Sequence, residues 1–189
     1  MKVIGLTGGI GSGIQTAALY TAGRDAGSSG DETESYNGSS WTAVTAMNTG
    51  RAGFAASTSG TQTAFLAAGG GPDTPAYTAD TEKWNGTNWT EVNDLSTGIF
   101  GGWGSGIATS ALLFGGKTPA PAFTTKAEFF NGTSWAETGS MGTAMTQPAG
   151  SVGGTGTTAL QAGGDNADGY KNTTQEFTVA AAVKTVTDS

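Results

Sequence analysis

The chain has 189 residues, enough to bury a sizeable core, yet only 12% are charged and 33 are glycine. Such a composition excludes long amphipathic helices, which need charged or strongly helix-forming faces, and suits short strands divided by tight turns. The formal charge of −7 argues against a surface that tracks phosphates, and the absence of His and Cys removes the usual zinc, copper and haem ligands along with Ser–His and Cys–His nucleophile pairs.

Five Trp and eight Phe make the chain too apolar for a disordered linker. No apolar run reaches membrane-spanning length, and the opening Met1–Gly9 is too short and too Gly-rich for a signal-peptide core, so neither membrane insertion nor signal-directed export is expected. Without Cys there are no disulfides, and the redox compartment is not readable. No cofactor and no metal is expected.

In chain order, Val3–Gly11 is a Gly-rich strand. It runs into Gly8-Gly9-Ile10-Gly11-Ser12-Gly13, which has the look of a phosphate loop. That chemistry needs a Lys on the β/γ-phosphates and then Ser or Thr for Mg²⁺, whereas Ile14 and Gln15 stand there. The segment also aligns with Gly101–Ile107 deep inside the chain, which predicts a strand–turn–strand and not a nucleotide site.

The stretch Gly13–Arg24 recurs as Gly60–Gly71, Gly106–Lys117 and Gly154–Asp165, with starts 47, 46 and 48 residues apart. Four units of that length fill the chain, approximately 1–48, 49–95, 96–142 and 143–189 in a single domain. Each copy holds a Leu (Leu19, Leu66, Leu112, Leu160) and a Thr (Thr16, Thr63, Thr109, Thr157), and each ends in a small-Gly pair. In one strand the Leu and Thr face opposite sides, with the Leu packed between neighbouring sheets.

After a variable loop, the third piece reads Thr33–Gly38, Thr81–Gly86 and Ala127–Gly132, each ending in Asn-Gly and each followed by a Trp: Trp41, Trp89 and Trp135. Asn-Gly between aromatic-bearing runs is a strong hairpin signal, both residues tolerating positive φ. The fourth unit keeps Phe177 but has Thr178-Val179 for Asn-Gly and no Trp; Val183 and Val186 mark a last strand.

Four strands per unit, with a Gly pair, a later aromatic and a Trp, predict an all-β propeller of four blades, each of about 47 residues and four antiparallel strands. Gly69-Gly70, then Tyr36 or Trp84, then Trp41 or Trp89 resemble the pattern of kelch-like repeats. Runs such as Thr81–Val92 and Gly60–Ala64 resemble, more narrowly, kelch-like repeat proteins of tailed, especially marine, bacteriophages, which are regarded as virion or tail-associated. The resemblance implies a non-enzymatic binding or structural module on a virion, presenting loops to a host glycan or to another virion protein. A cellular or secreted protein-interaction propeller and a carbohydrate-active enzyme working with carboxylates alone are the alternatives. The four units either close one ring or contribute part of a larger ring by self-association; closure within one chain is the expectation.

Glu34, Glu82 and Glu128 recur at one place, with Gln175 as the fourth. Glycoside hydrolysis needs an asymmetric acid pair, whereas a carboxylate repeated once per blade points to a repeated structural bond, so no catalytic residue is expected. Asp165–Gly169 lacks the alternating ligands and distal Glu of a calcium loop, and the Asn-X-Ser/Thr sequons at Asn37, Asn85 and Asn131 coincide with the hairpin turns. Candidate binding residues are Tyr77, Phe123 and Tyr170, which occupy one place in three of the variable loops, where the first unit has Gly30.

Overall fold

A computed structural model of the chain describes residues 8–25, 28–71, 77–120, 122–150 and 154–179. No helix occurs among them; they form four antiparallel sheets, one per repeat unit, arranged as the blades of a four-bladed β-propeller. The first sheet has β1 (Ile10–Ile14), β2 (Ala17–Asp25), β3 (Ser28–Tyr36) and β4 (Trp41–Val44). The second has β5 (Ala55–Ala56), β6 (Phe65–Ala68), β7 (Thr81–Trp84) and β8 (Trp89–Val92). The third has β9 (Trp103–Ile107), β10 (Ser110–Phe114), β11 (Lys126–Phe130) and β12 (Trp135–Ser140). The fourth shows three strands among the described residues, β13 (Ala149–Gly150), β14 (Thr158–Asn166) and β15 (Gly169–Thr178); Val183 and Val186 lie outside them, as do Val3–Thr7.

The repeated Leu sits on the second strand and packs against the following sheet. Leu19, Leu66 and Leu112 are at most 1% exposed, each burial contributing about 2 kcal/mol. Leu19 shares a buried cluster with Phe65 and Trp89, Leu66 with Ala111 and Phe130, and Leu112 with Ala159 and Phe177. The repeated Thr does not share the strand with it: Thr16, Thr63 and Thr109 lie in the turn before. There they abut the Asn-Gly turn of their own sheet, and a Cβ on Gly86 would stand 3.2 Å from the Thr63 Cβ. The Asn-Gly turns also differ from the tight two-residue form. Each is a four-residue loop in which only the Gly has positive φ, while the Asn side chain caps two backbone N–H groups; Asn85 Oδ1 accepts from Thr87 and Asn88, both at 2.9 Å.

The small-Gly pair is the joint between blades. Ala22-Gly23, Gly69-Gly70, Gly115-Gly116 and Gly163-Gly164 all hold two successive positive φ angles, a conformation that glycine adopts at little cost. The turn aims one N–H at the segment entering the next sheet: Gly23 donates to Arg51 O at 3.1 Å, Gly70 to Ile99 O at 2.7 Å and Gly116 to Met145 O at 2.7 Å. A second joint comes from the Trp that begins the fourth strand. The Trp89 indole donates to the Thr33 hydroxyl at 3.1 Å and Trp135 to the Thr81 hydroxyl at 3.0 Å, each reaching back to the preceding sheet. At the third boundary neither partner exists, since Ala127 has no hydroxyl and the fourth unit has no Trp. Towards the axis the inner strands nearly touch; a Cβ on Gly104 would lie 2.1 Å from the Ala56 carbonyl oxygen.

These joints connect the first sheet to the second, the second to the third and the third to the fourth. Among the described residues no hydrogen bond or buried apolar cluster joins the fourth sheet to the first. The consequence is visible at the ends, where Leu160 is 47% exposed and Trp41 is 41% exposed.

Candidate binding surface

Antiparallel order puts the loops after each second strand, and the connections between sheets, at one end of the blades; the Asn-Gly hairpins occupy the other. The three candidate aromatics therefore share the loop end, but their surroundings differ. Tyr77 is half-buried and stacks on Phe100, a residue of the connection into the third sheet, with ring centroids 5.2 Å apart and planes 23° from parallel. Phe123 is also half-buried, with the Lys117 ammonium 4.6 Å from its ring centre. Lys117 and Phe100 exchange backbone bonds of 2.8 and 2.9 Å, so the two aromatic groups belong to one patch. Tyr170 stands apart at the tip of the β14–β15 hairpin and is 94% exposed. Gly30, its counterpart in the first sheet, pairs with Gly23 inside the β2–β3 ladder.

Phe100 also touches a series of turns that sequence reading passes over. Gly8, Gly53, Gly101 and Gln147 all hold positive φ and bond in succession: Gly53 donates to Gly8 O at 3.4 Å, Gly101 to Gly53 O at 2.7 Å and Gln147 to Gly101 O at 2.7 Å. Phe100 covers the second of these turns, its ring filling the place where a Cβ of Gly53 would be. The Phe100 ring is thereby seated on a hydrogen-bonded turn, and the Tyr77 ring stacks on it.

Between the second and third sheets a void of about 10 Å³, lined by Leu66, Leu112 and Trp135 among others, has room for no organic ligand. Among the described residues no group of three or more acidic side chains is placed to hold a metal ion. Asp165–Gly169 forms the β14–β15 hairpin turn, with Asn166 Oδ1 accepting from the Asp168 N–H at 2.9 Å. The phosphate-loop look of Gly8–Gly13 resolves into a hairpin, since Ile10–Ile14 pairs antiparallel with Ala17–Thr21.

The recurring carboxylates hold the connections. Glu82 is fully buried, accepts from the Asn48 N–H at 2.8 Å and the Thr49 N–H at 3.3 Å, and forms an ion pair with the fully buried Arg51. Glu128 takes the Ser96 N–H at 3.0 Å and the Ser96 hydroxyl at 2.8 Å, and Gln175 takes the Thr143 N–H at 2.9 Å. Asn48 and Ser96 are repeat equivalents and Thr143 is the equivalent of Thr49, so each acid or amide ties its sheet to the segment leaving the one before. Glu34 is half-buried and makes no such bond among the described residues. It acts instead on Tyr20, whose hydroxyl titrates above its ordinary value because of burial first and the Glu34 charge second.

No protein-family model matches the chain, and no curated protein is similar to it. Among solved structures it is similar to YjhT, with a TM-score of 0.76 at 13% identity. The likeness covers 97% of this chain and 67% of that one, so the present chain spans about two thirds of that protein's length. At this identity the likeness shows the fold alone, a β-propeller, to which this chain contributes four blades.

Proposed function

We propose that the protein is a non-enzymatic binding module of a bacteriophage virion or tail, and that its loop end engages a host surface glycan or a neighbouring virion protein. The observation that carries this reading is the aromatic surface itself: Tyr170 is 94% exposed at the loop end, on the same side as the Tyr77–Phe100 and Lys117–Phe123 pairs. Exposed ring faces stack on the apolar faces of sugars or against a partner's apolar surface. The absence of His and Cys, and the use of Glu82 and Glu128 as structural acceptors, favour binding over hydrolysis. The phage assignment rests on the resemblance of the repeats to kelch-like virion proteins, and places the protein on the particle after synthesis in the host cytoplasm.

Glycan-array binding of the wild type and of a Tyr77→Ala, Phe123→Ala, Tyr170→Ala variant tests the proposal, with thermal melting as the folding control. Loss of glycan binding in a variant that still melts cooperatively is expected. Unchanged binding means that the rings only pack. Detection of the protein in purified virions by mass spectrometry tests the location.

A further inference from the structure

The joints between blades form a matched set along the chain. Thr33 accepts from Trp89 and Thr81 from Trp135; where the third sheet has Ala127, the fourth unit has no Trp to answer it. Two members are left over. Thr174 stands at the position of Thr33 and Thr81, opposite Ala162 in the ladder as Thr33 is opposite Thr21, and it is exposed. Trp41 stands at the position of Trp89 and Trp135, tilted against Tyr36 at 5.1 Å, as Trp89 is against Trp84 at 5.5 Å. Its indole N–H donates to nothing among the described residues, and the side chain is 41% exposed. The donor lies on the outer face of the first sheet and the acceptor on the outer face of the last.

The rest of both faces repeats the complementarity. On the fourth sheet, Leu160 and Ala162 are exposed at positions whose equivalents in the second sheet, Leu66 and Ala68, are at most 2% exposed under the third. On the first sheet, Tyr36 and Glu34 are half-exposed, whereas their equivalents Trp84 and Glu82 are buried against the preceding blade. Thr174 and Trp41 stand in register with an interface that the described residues do not make, while Ala127 shows the Thr missing where its Trp is missing.

We propose that these two end faces are one interface, occupied by a second copy of this chain docked head to tail. The Trp41 indole of one copy then donates to Thr174 of its neighbour, and Leu160 of that neighbour is covered by the same first sheet. The junction repeats the one between the first and second sheets of a single chain. Because the contact joins two different surfaces, it is heterologous and propagates into a ring or a stack.

Sedimentation velocity of the full chain across a concentration series, with Trp41→Arg, Thr174→Arg and their equimolar mixture, tests this. The wild type is expected to run as an oligomer that dissociates on dilution. Each variant alone keeps only one working face and runs as a monomer. Their mixture pairs the intact fourth sheet of Trp41→Arg with the intact first sheet of Thr174→Arg and runs at twice the monomer mass. Far-ultraviolet circular dichroism confirms that both variants keep the wild-type strand signal; should Trp41→Arg lose it, Trp41→Phe replaces it in the mixture. A wild type that stays monomeric at every concentration overturns the proposal in favour of closure within one chain. Variants that still associate alone overturn it in favour of another surface.

Discussion

Replacing Glu82 by Gln should destabilise the fold far more than the same replacement of Glu128, although the two residues are repeat equivalents. Glu82 has Arg51 beside it, and both side chains are fully buried. The guanidinium also donates to Asp80 O at 2.8 Å, Gly69 O at 3.4 Å and Thr49 O at 3.3 Å, but the Glu82 carboxylate supplies its countercharge. A Gln keeps the bond to the Asn48 N–H and leaves the cation buried without an anion, which costs about 3–5 kcal/mol. For a chain of this length that corresponds to a melting point lower by about 10 °C. Among the described residues Glu128 meets Ser96, through its N–H and its hydroxyl, and Gln175 already holds the Thr143 N–H as an amide. Glu128→Gln should therefore cost only about 1 kcal/mol. Arg51→Met added to Glu82→Gln removes the stranded charge and should recover most of the loss. Thermal melts followed by circular dichroism compare the four proteins. Equal shifts for Glu82→Gln and Glu128→Gln, or no recovery in the double variant, would refute the charge argument.

Three further outcomes follow from the joints and the axis. Thr33→Val deprives the buried Trp89 indole of its acceptor and should cost about 1–3 kcal/mol in urea unfolding, whereas Thr81→Ser keeps the hydroxyl for Trp135 and should cost less. Gly104→Ala drives a methyl group into the Ala56 carbonyl oxygen, and the resulting separation of the inner strands should cost about 1–3 kcal/mol or more in the same assay. Tyr20 titrates above its ordinary value of 10.0, because burial and Glu34 disfavour the phenolate. Its contribution is present in full below the unfolded-state value and falls as pH rises through the higher folded one, so stability should decline above about pH 10 and Tyr20→Phe should flatten that decline.

The repeat was legible because it is written in large and in special residues. Leu19, Leu66 and Leu112 are the core between sheets, and the Gly pairs mark a backbone turn that side chains disfavour. The Trp that begins the fourth strand in three of the units was equally plain. What the Trp does was less plain, because its acceptor lies on another sheet, 56 residues away for Trp89. The clue was present: Thr33, Thr81 and Thr174 share a position, and Ala127 breaks the series one unit before the missing Trp. Arg51 left no trace in the pattern, since the other units have no cation there and a single Arg between loops reads as surface. Thr16, Thr63 and Thr109 were misplaced onto a strand because an Ala/Thr-rich run carries no alternation to show where a turn ends. At the loop end, the spacing found Tyr77, Phe123 and Tyr170, but not Phe100, whose stacking on Tyr77 depends on the path of a connection.

The missing Thr–Trp bond at the third boundary also sets an order of events when the protein comes apart. Blades that touch only their neighbours come apart at a seam, and the seam between the third and fourth sheets lacks the indole-to-hydroxyl bond that the other two hold. The fourth blade should thus peel away first, leaving residues up to Ser140 as the protease-resistant remnant and making the C-terminal quarter the fuse of the whole array.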